Sequence, residues 1–519
     1  MLCLMIKQLI CANPIFCFSY LQFISYLRKA FYYPLNSKQN KNTFVVNLYY
    51  PMDYILKKIS SVINIFRLAL AGNDTNILHG NINRAIVLLA IPMTLEMIME
   101  SLFAIVDIFF VSKIGVNAIA VVGLTESVLT ITYSLGWGLA MGTTAMIARR
   151  VGEGDNDGAS VSAVQSIYLA LIISVPIMIC GLFFSEDLLR LMGAANEVIS
   201  EGSGYTKLTL GFNLIVILLF LVNGIFRGAG DAALAMRSLW IANSINIILD
   251  PMLIFGIGPF PKLGIEGAAI ATIIGRSLGI VYQLYHLNKG KGLIKIHKDN
   301  WHFKPIIIWK LGKLSAGVTA QFIISSTSWI FLMRIISTFG STALAGYTIA
   351  IRIVIFTLLP AWGFSNAAAT MVGQNLGANQ PERAEKAVWR TGMFNMTFMG
   401  TVMIIFFLFG EGIASFFTDE KEVIDNASKC LSIFALGYLF YAFGMVLVQA
   451  FNGAGDTKTP TIMNLFVFWM LQIPLAYTLA IQLGFGAEGA YYSIVISEST
   501  FSIVGYFLFK RGKWKTIKV

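Results

Sequence analysis

Acidic and amide side chains lie inside apolar stretches in the first half of this chain. Asp107 has no basic neighbour, and Asn246 and Asp250 are four residues apart in a second apolar stretch. Residues at that spacing project from one face of a helix, and Pro251, which has no amide proton, frees a backbone carbonyl one turn before it. Carboxylate, amide and carbonyl oxygens suit Na⁺, or a proton shared between two carboxyl groups. These residues therefore predict a cation-binding site.

The chain also repeats itself. The segment 228–231 (Gly-Ala-Gly-Asp) recurs 225 residues later at 453–456, and the segment 264–268 recurs with one change at 486–490, after a slip of three residues. Both copies lie in strongly apolar sequence. Two homologous membrane halves are the usual architecture of a secondary transporter, with the binding site near the middle of the membrane. The repeat therefore favours transport as the function.

The repeat provides an internal control for the predicted site, because each candidate polar residue aligns with an aliphatic residue in the second half. The pairs are Asp107 with Leu332, Asn223 with Val448, Asn246 with Leu471, Asp250 with Leu475 and, after the slip, Thr272 with Ile494. Arg276 aligns with Glu498. Polar groups that served only the scaffold should recur, so these residues indicate a functional site in the first half. The alternative is that they merely pair with neighbouring helices.

The elements that position these residues are membrane helices. Of the 519 residues, 56% are hydrophobic and only 13% are charged, which is too little charge to cover a soluble protein of this length. A membrane-spanning helix takes about 20 apolar residues. The sequence predicts an all-α integral membrane protein with twelve such helices, at residues 85–112, 117–147, 159–184, 200–226, 233–257, 265–288, 306–338, 343–373, 383–409, 423–451, 458–483 and 488–510. Six helices per half make the halves parallel repeats.

Charge predicts the topology and the domains. The net charge is +11, and most lysines and arginines occur in the loops on one side of the helices, between the halves and in the tail. By the positive-inside rule both termini are cytoplasmic in a multi-pass protein of the cell membrane, and the basic residues are not a nucleic-acid surface. The expected domains are an N-terminal extension at 1–80, an N-lobe with helices 1–6 at 81–290, a cytoplasmic linker at 291–305, and a C-lobe with helices 7–12 and the basic tail at 306–519.

Other motifs carry no chemistry in this context. The segment 484–489 reads Gly-x-Gly-x-x-Gly but follows a membrane helix rather than a strand, so it does not indicate a dinucleotide site. The segment 228–231 resembles the Gly-x-Gly-Asp motif of intramembrane aspartyl proteases, but its recurrence at a turn favours a helix end that the aspartate caps. No phosphate-binding loop is present, and five scattered cysteines show no metal-binding spacing. We therefore predict neither an enzyme nor a cofactor other than a coupling ion.

Several longer motifs point to one family. They are Ala-Ile-Pro at 90–92, Val-Asp at 106–107 followed by Gly115, Val-Gly-Gln-Asn-Leu-Gly-Ala at 372–378, and Asn-Gly-Ile-Phe-Arg-Gly-Ala-Gly-Asp at 223–231. With them the chain resembles the multidrug and toxic-compound extrusion (MATE) transporters over roughly 82–510. The resemblance implies two six-helix bundles that export amphipathic or cationic compounds in exchange for H⁺ or Na⁺.

The resemblance also implies roles for individual residues. One branch of the family has its cation site in the N-lobe, and Na⁺ or H⁺ would bind there at the matching positions Asp107, Asn246, Asp250 and Thr272. The same polar network would include Asn223 and Tyr205. Pro92 matches the proline at which helix 1 bends when the aspartate is protonated, and Glu100, two turns before Asp107, is a candidate for the network or the substrate cavity. A second branch carries acids in helices 7 and 10, which this chain lacks in those helix cores.

The mechanism that the resemblance implies is alternating access. An inward-moving ion binds at Asp107 and Asp250, helix 1 changes shape at Pro92, and a small-molecule substrate leaves the cavity between the lobes. A monomer is expected, with membrane lipid around it. The alternative is a lipid-linked oligosaccharide flippase of the same superfamily, which requires more cavity arginines than Arg334 and Arg352. The chain lacks the basic loop motif between helices 2 and 3 that is typical of major-facilitator transporters. It also lacks the paired catalytic residues that a membrane enzyme would need.

The N-terminal extension has no counterpart in the second half. Residues 1–35 are apolar and aromatic, but prolines and basic residues interrupt them and no signal-peptide cleavage site is present. Met52 opens a more ordinary polar approach to the first helix. We expect residues 1–51 to come from an upstream start codon and to be absent from the functional protein. Peptide mass spectrometry of the native protein checks this, and a peptide that begins before Met52 would contradict it.

Overall fold

The computed structural model describes residues 63–72, 77–289 and 292–519. Within them, twelve helices are long and apolar enough to span a membrane. They are α1 (Ile82–Ser112), α2 (Val116–Gly152), α3 (Asn156–Leu191), α4 (Asn196–Ala229), α5 (Ala232–Phe255), α6 (Ile265–Lys289), α7 (Pro305–Ser337), α8 (Ser341–Gly377), α9 (Pro381–Ala414), α10 (Lys421–Gly453), α11 (Lys458–Gln482) and α12 (Gly486–Lys510). These residues contain no β-strand. The prediction of an all-α membrane protein with twelve helices is confirmed.

A short helical segment precedes α1. Residues 63–71 are helical, and the carbonyls of Leu70 and Ala71 each accept a hydrogen bond of 2.7 Å from Arg237 of α5. The end of the predicted extension therefore packs against the first half. The expectation for residues 1–51 concerns a part of the chain outside the described residues. The boundaries of the two lobes and of the linker stay predictions.

The turn between α4 and α5 shows why the helices begin and end where they do. Gly230 ends α4 with φ +89°, and Asp231 accepts a hydrogen bond of 3.2 Å from the amide of Leu234 in the first turn of α5. Glycine adopts this left-handed conformation without strain, and the aspartate satisfies an amide that has no helical partner. The interpretation of residues 228–231 as a capped turn is confirmed.

Helix α4 is broken near its middle, which the sequence did not predict. Phe212 leaves helical geometry, with φ −105° and ψ 21°. Next to it, the buried Asn213 donates through Nδ2 to the carbonyl of Leu210 at 2.6 Å and to that of Ser174 at 3.4 Å. An asparagine side chain that bonds to the backbone in this way competes with the helical hydrogen bonds. The break therefore has a local cause, although one of its partners comes from α3.

Helix α11 also departs from regular α-helical geometry. Its segments Leu465–Gln472 and Thr478–Gln482 are π-helical and lie on either side of Pro474. Proline lacks an amide proton and crowds the preceding turn, so the hydrogen-bond pattern around it shifts. The equivalent helix of the first half, α5, contains Pro251 and stays α-helical. The two halves therefore differ in the geometry of this helix, which in the first half carries Asn246 and Asp250.

Helices α2 and α8, which are equivalent in the repeat, meet at backbone distance near their C-terminal ends. A Cβ atom on Gly152 would lie 2.1 Å from the carbonyl oxygen of Gln374, and one on Gly377 would lie 2.2 Å from that of Arg149. A side chain at either position would push the two backbones apart. These contacts close one end of the boundary between the halves.

We expect Gly152→Ala to destabilise the protein, because the added methyl group has no room beside the Gln374 carbonyl. Overpacking of this kind costs about 1–3 kcal/mol of unfolding free energy. The matched control is Gly123→Ala in the same helix, where nothing lies within 4 Å of the added Cβ. Thermal unfolding of the purified protein checks this prediction. Only Gly152→Ala should lower the melting temperature, and equal melting temperatures for the two variants would contradict the tight packing.

Candidate functional site

Three acidic residues share one face of α1 and lie opposite polar faces of α4, α5 and α6. Glu96, Glu100 and Asp107 follow one another at spacings of four and seven residues, which return to the same side of a helix. Three clusters of polar side chains stack along this face. They are the cation cluster (Asp107, Asn246, Asp250, Thr272), the Glu100 cluster (Glu100, Asn243, Arg276) and the Glu96 cluster (Glu96, Asn223, Arg227, Ser238, Gln283).

The cation cluster brings together residues that the sequence singled out. Asn246 donates through Nδ2 to Asp250 Oδ1 at 3.1 Å and to Thr272 Oγ1 at 3.0 Å. Asp250 is fully buried and Asn246 is 1% exposed. Asn246 Oδ1 and Asp250 Oδ2 have no hydrogen-bond partner among the described residues. Two buried oxygens that lack a donor, beside a hydroxyl, fit a Na⁺ ion or a proton on the carboxylate.

Asp107 approaches this cluster from α1. Its side chain is partly buried, and α1 packs against α5, the helix that carries Asp250. Tyr205 packs with Val111 and Ala268 in an apolar cluster at this end of the helices. Carboxylates on two packed helices repel each other unless a proton or a cation neutralises one of them. The arrangement therefore favours uptake of a positive charge by the Asp107 and Asp250 pair.

The Glu100 cluster contains a largely buried ion pair. Glu100 Oε1 accepts from Arg276 Nη2 at 3.2 Å, and Oε2 accepts from Asn243 Nδ2 at 3.0 Å. The guanidinium of Arg276 lies 5.3 Å from the ring centroid of Phe103 and 5.5 Å from that of Phe220, at distances where aromatic faces stabilise a cation. Glu100 forms no hydrogen bond with the cation cluster, so the structure joins it to Arg276 instead.

The Glu96 cluster contains a second buried ion pair, which sequence reasoning missed. Glu96 Oε1 accepts from Arg227 Nη1 at 3.1 Å and from Asn223 Nδ2 at 3.0 Å. Asn223 Oδ1 in turn accepts from Ser238 at 2.8 Å and from Gln283 at 2.7 Å. Asn223 therefore bonds to Glu96 and not to the cation cluster. A signal was present in the sequence, because Asn223 and Arg227 are four residues apart on one helix face.

In the second half a neutral pair occupies the position of Glu96 and Arg227. The equivalent residues, Gln321 and Asn452, exchange hydrogen bonds of 3.0 and 3.2 Å between their side-chain amides. Both pairs bridge the first helix and the fourth helix of their half. The scaffold therefore needs a polar bridge at this position, but it does not need a charged one.

A cavity of about 270 Å³, which we call the central cavity, is lined by both halves. Aromatic side chains form part of its wall, including Trp137, Phe220, Phe322, Trp329, Trp362 and Tyr441. Trp137 and Trp362, which are equivalent in the repeat, have ring centroids 5.1 Å apart. Among the described residues, the charged groups on the wall are Arg227, which pairs with Glu96, and Glu498. A largely apolar cavity with a few polar groups is typical of a small-molecule site.

Helix α1 links the cation cluster to the second half. It continues without a break through the buried Pro92. Beside this proline, a Cβ atom on Gly363 of α8 would lie 2.5 Å from Thr94 Cα, and Thr94 Oγ1 donates to the Pro360 carbonyl at 3.4 Å. The N-terminal part of α1 thus packs on α8, while its C-terminal part carries Asp107. A change of shape in α1 therefore acts on both halves.

Comparison with known families finds the internal repeat again. The MatE family model matches residues 92–252 and, a second time, residues 318–478. The first match runs from α1 into α5, and the second runs from α7 into α11. Together they cover more than half of the chain.

Individual proteins extend the similarity over nearly all of the helices. The chain is 26% identical over 441 residues to the probable multidrug resistance protein NorM of Thermotoga maritima, covering 84% of this chain and 93% of that protein. It is 26% identical over 442 residues to an FAD transporter of Shewanella oneidensis, covering 84% and 96%. A crystal structure of MATE in the straight conformation matches with a TM-score of 0.80 at 29% identity, over 85% of this chain and 98% of that one.

We expect the Glu96 and Arg227 pair to be replaceable only as a pair. Arg227→Asn should destabilise the protein by about 3–5 kcal/mol, because it leaves Glu96 buried and unpaired. The double variant Glu96→Gln/Arg227→Asn reproduces the Gln321 and Asn452 bridge and should recover most of that loss. Thermal unfolding of the native protein and the two variants checks this. A double variant as unstable as Arg227→Asn alone would contradict the equivalence of the two bridges.

Proposed function

The chain belongs to the MatE family of membrane transporters, and from that premise we propose that it exports amphipathic organic cations from the cell in exchange for inward-moving H⁺ or Na⁺. It is a transporter and not an enzyme. The observation that carries the proposal is the cation cluster. Its buried carboxylate and amide oxygens lack donors, Asp107 lies on the adjacent helix α1, and the second half has leucines at the positions of both acids.

The cation cluster couples the ion to the shape of α1. Without an ion, the carboxylates of Asp107 and Asp250 repel each other between α1 and α5. A proton or Na⁺ removes that repulsion and draws the two helices together. Because α1 packs on α8 around Pro92, its movement shifts one half against the other. The cavity then releases its substrate and becomes accessible from the other side, which is alternating access.

The cavity wall supports a cationic substrate over an anionic one. Its described arginine, Arg227, is already neutralised by Glu96. The second candidate function is that of a lipid-linked oligosaccharide flippase, which would need several free arginines to hold a pyrophosphate. Neither Arg334 nor Arg352 is among the residues that line the cavity. An anionic dinucleotide, of the kind that the name of the FAD transporter indicates for that relative, would face the same lack of positive charge.

We further propose that both termini and the linker are cytoplasmic and that the chain acts as a monomer in the cell membrane. The excess of lysine and arginine on that side of the helices supports this orientation. It puts the contacts of Gly152 and Gly377 at the cytoplasmic end of α2 and α8. Close contacts at that end favour an outward-facing state of the transporter.

Asp107→Asn should abolish ethidium export, because an amide neither takes up a proton nor balances the charge of Na⁺. Cells with the native protein should lose preloaded ethidium faster than cells without it, and cells with the variant should match the latter at equal expression. The decay of ethidium fluorescence measures the rate. Loss of native export with a protonophore would identify H⁺ as the coupling ion, and loss on removal of external Na⁺ would identify Na⁺.

The matched control is Asp187→Asn, which makes the same chemical change at an exposed acid that pairs with Arg190 near the end of α3. This variant should export ethidium at the native rate. Equal export by the native protein and Asp107→Asn would refute the assignment of Asp107 to the coupling site. No export by the native protein would argue against ethidium as a substrate and favour the flippase.

A further inference from the structure

The second half carries an altered copy of the Glu100 cluster. Glu100, Asn243 and Arg276 align in the repeat with Ser325, Phe468 and Glu498. All three residues of this second set line the central cavity. The position of Arg276 is therefore taken by an acid, Glu498, in the second half. The position of its partner Glu100 is taken by Ser325.

Glu498 has no compensating charge in the described part of the chain. It is only 9% exposed, and it forms no hydrogen bond or ion pair with the described residues. Its counterpart Arg276, in contrast, lies 3.2 Å from the carboxylate of Glu100. An isolated carboxylate in an apolar site is unfavourable unless it takes up a proton or a positive group joins it. At equivalent positions of the repeat, the charge of Arg276 is therefore neutralised by Glu100, whereas Glu498 has no neutralising partner among the described residues.

Aromatic residues line the same cavity as this carboxylate. Glu498, Trp329, Leu358 and Tyr441 line both the central cavity and a smaller adjoining pocket of about 30 Å³. Glu498 therefore lies where the two spaces meet. A cavity that contains a carboxylate together with tryptophan and tyrosine rings suits weakly hydrated organic cations, which bind by charge and by cation–π interaction. A hard metal ion would need more oxygen ligands than this single carboxylate provides.

We propose that Glu498, Trp329 and Tyr441 form a subsite for the positive group of the transported compound, such as an alkylated ammonium or an aryl phosphonium. This inference rests on the proposed export of organic cations and refines it. The substrate charge binds to a carboxylate of the second half, whereas the coupling ion binds to Asp107 and Asp250 in the first.

Equilibrium dialysis of the purified full-length protein in detergent tests the subsite. The probes are tetraphenylphosphonium and tetraphenylborate, which have nearly the same shape and opposite charge. The native protein should bind the phosphonium more tightly than the borate. Glu498→Gln should raise the Kd for the phosphonium by about tenfold or more, because the attraction between buried opposite charges is lost. Its Kd for the borate should stay the same or fall.

The matched control is Glu488→Gln on the same helix, an exposed acid that pairs with Lys429 at 3.0 Å. It should leave both dissociation constants unchanged. Glu498→Asp, which keeps the charge, should bind the phosphonium better than Glu498→Gln. Equal phosphonium binding by the native protein and Glu498→Gln, or no phosphonium binding by the native protein, would overturn the proposal.

Labelling of the native protein keeps the test decisive if Glu498→Gln does not fold. A hydrophobic carbodiimide should modify Glu498, and saturating tetraphenylphosphonium should slow that modification, as read by peptide mass spectrometry. An unchanged rate would overturn the subsite. The dialysis needs no ion gradient, so its result is separate from that of the export assay. A protein that binds phosphonium through Glu498 but exports no cation would keep the subsite and refute the export function.

Discussion

The cost of an uncompensated charge inside the membrane governs the arrangement of this protein. An acidic side chain at that depth is unfavourable by several kcal/mol unless a partner neutralises it. Glu96 and Glu100 have arginine partners from the chain itself. Asp107, Asp250 and Glu498 have no ion partner among the described residues, and these are the acids that we assign to the coupling ion and the substrate. The same constraint thus separates structural acids from functional ones.

The internal repeat divides these roles between the halves. Where the first half has the ion pair of Glu96 and Arg227, the second holds the same two helices together with an amide pair. Both halves also share the glycine contacts that bring α2 and α8 to backbone distance. The helical frame is therefore common to the two copies, and its polar side chains are not. Arg227 belongs both to the helical frame and to the cavity, because it bonds to Glu96 on α1 and also lines the cavity wall.

Much of the fold, and part of the site, could be predicted from local sequence. Apolar length is enough to locate twelve helices, and the four-residue spacing of Asn246 and Asp250 is enough to put them on one face. Contacts between distant segments could not be predicted in this way. Glu100 and Arg276 are 176 residues apart in the chain, and only the packing of α1 against α6 brings them together. The lack of an ion partner for Glu498 likewise depends on contacts between distant segments, so the local sequence does not predict it.

The central claim is that substrate and ion bind at separate carboxylates whose occupancies are coupled, and ion release tests it most directly. Tetraphenylphosphonium is added to the purified protein, and the released H⁺ or radioactive Na⁺ is measured. Because coupling between two sites is reciprocal, substrate should expel more of one of these ions from the native protein than from Asp250→Asn. Substrate binding without ion release, or equal release from the native protein and Asp250→Asn, would contradict the account.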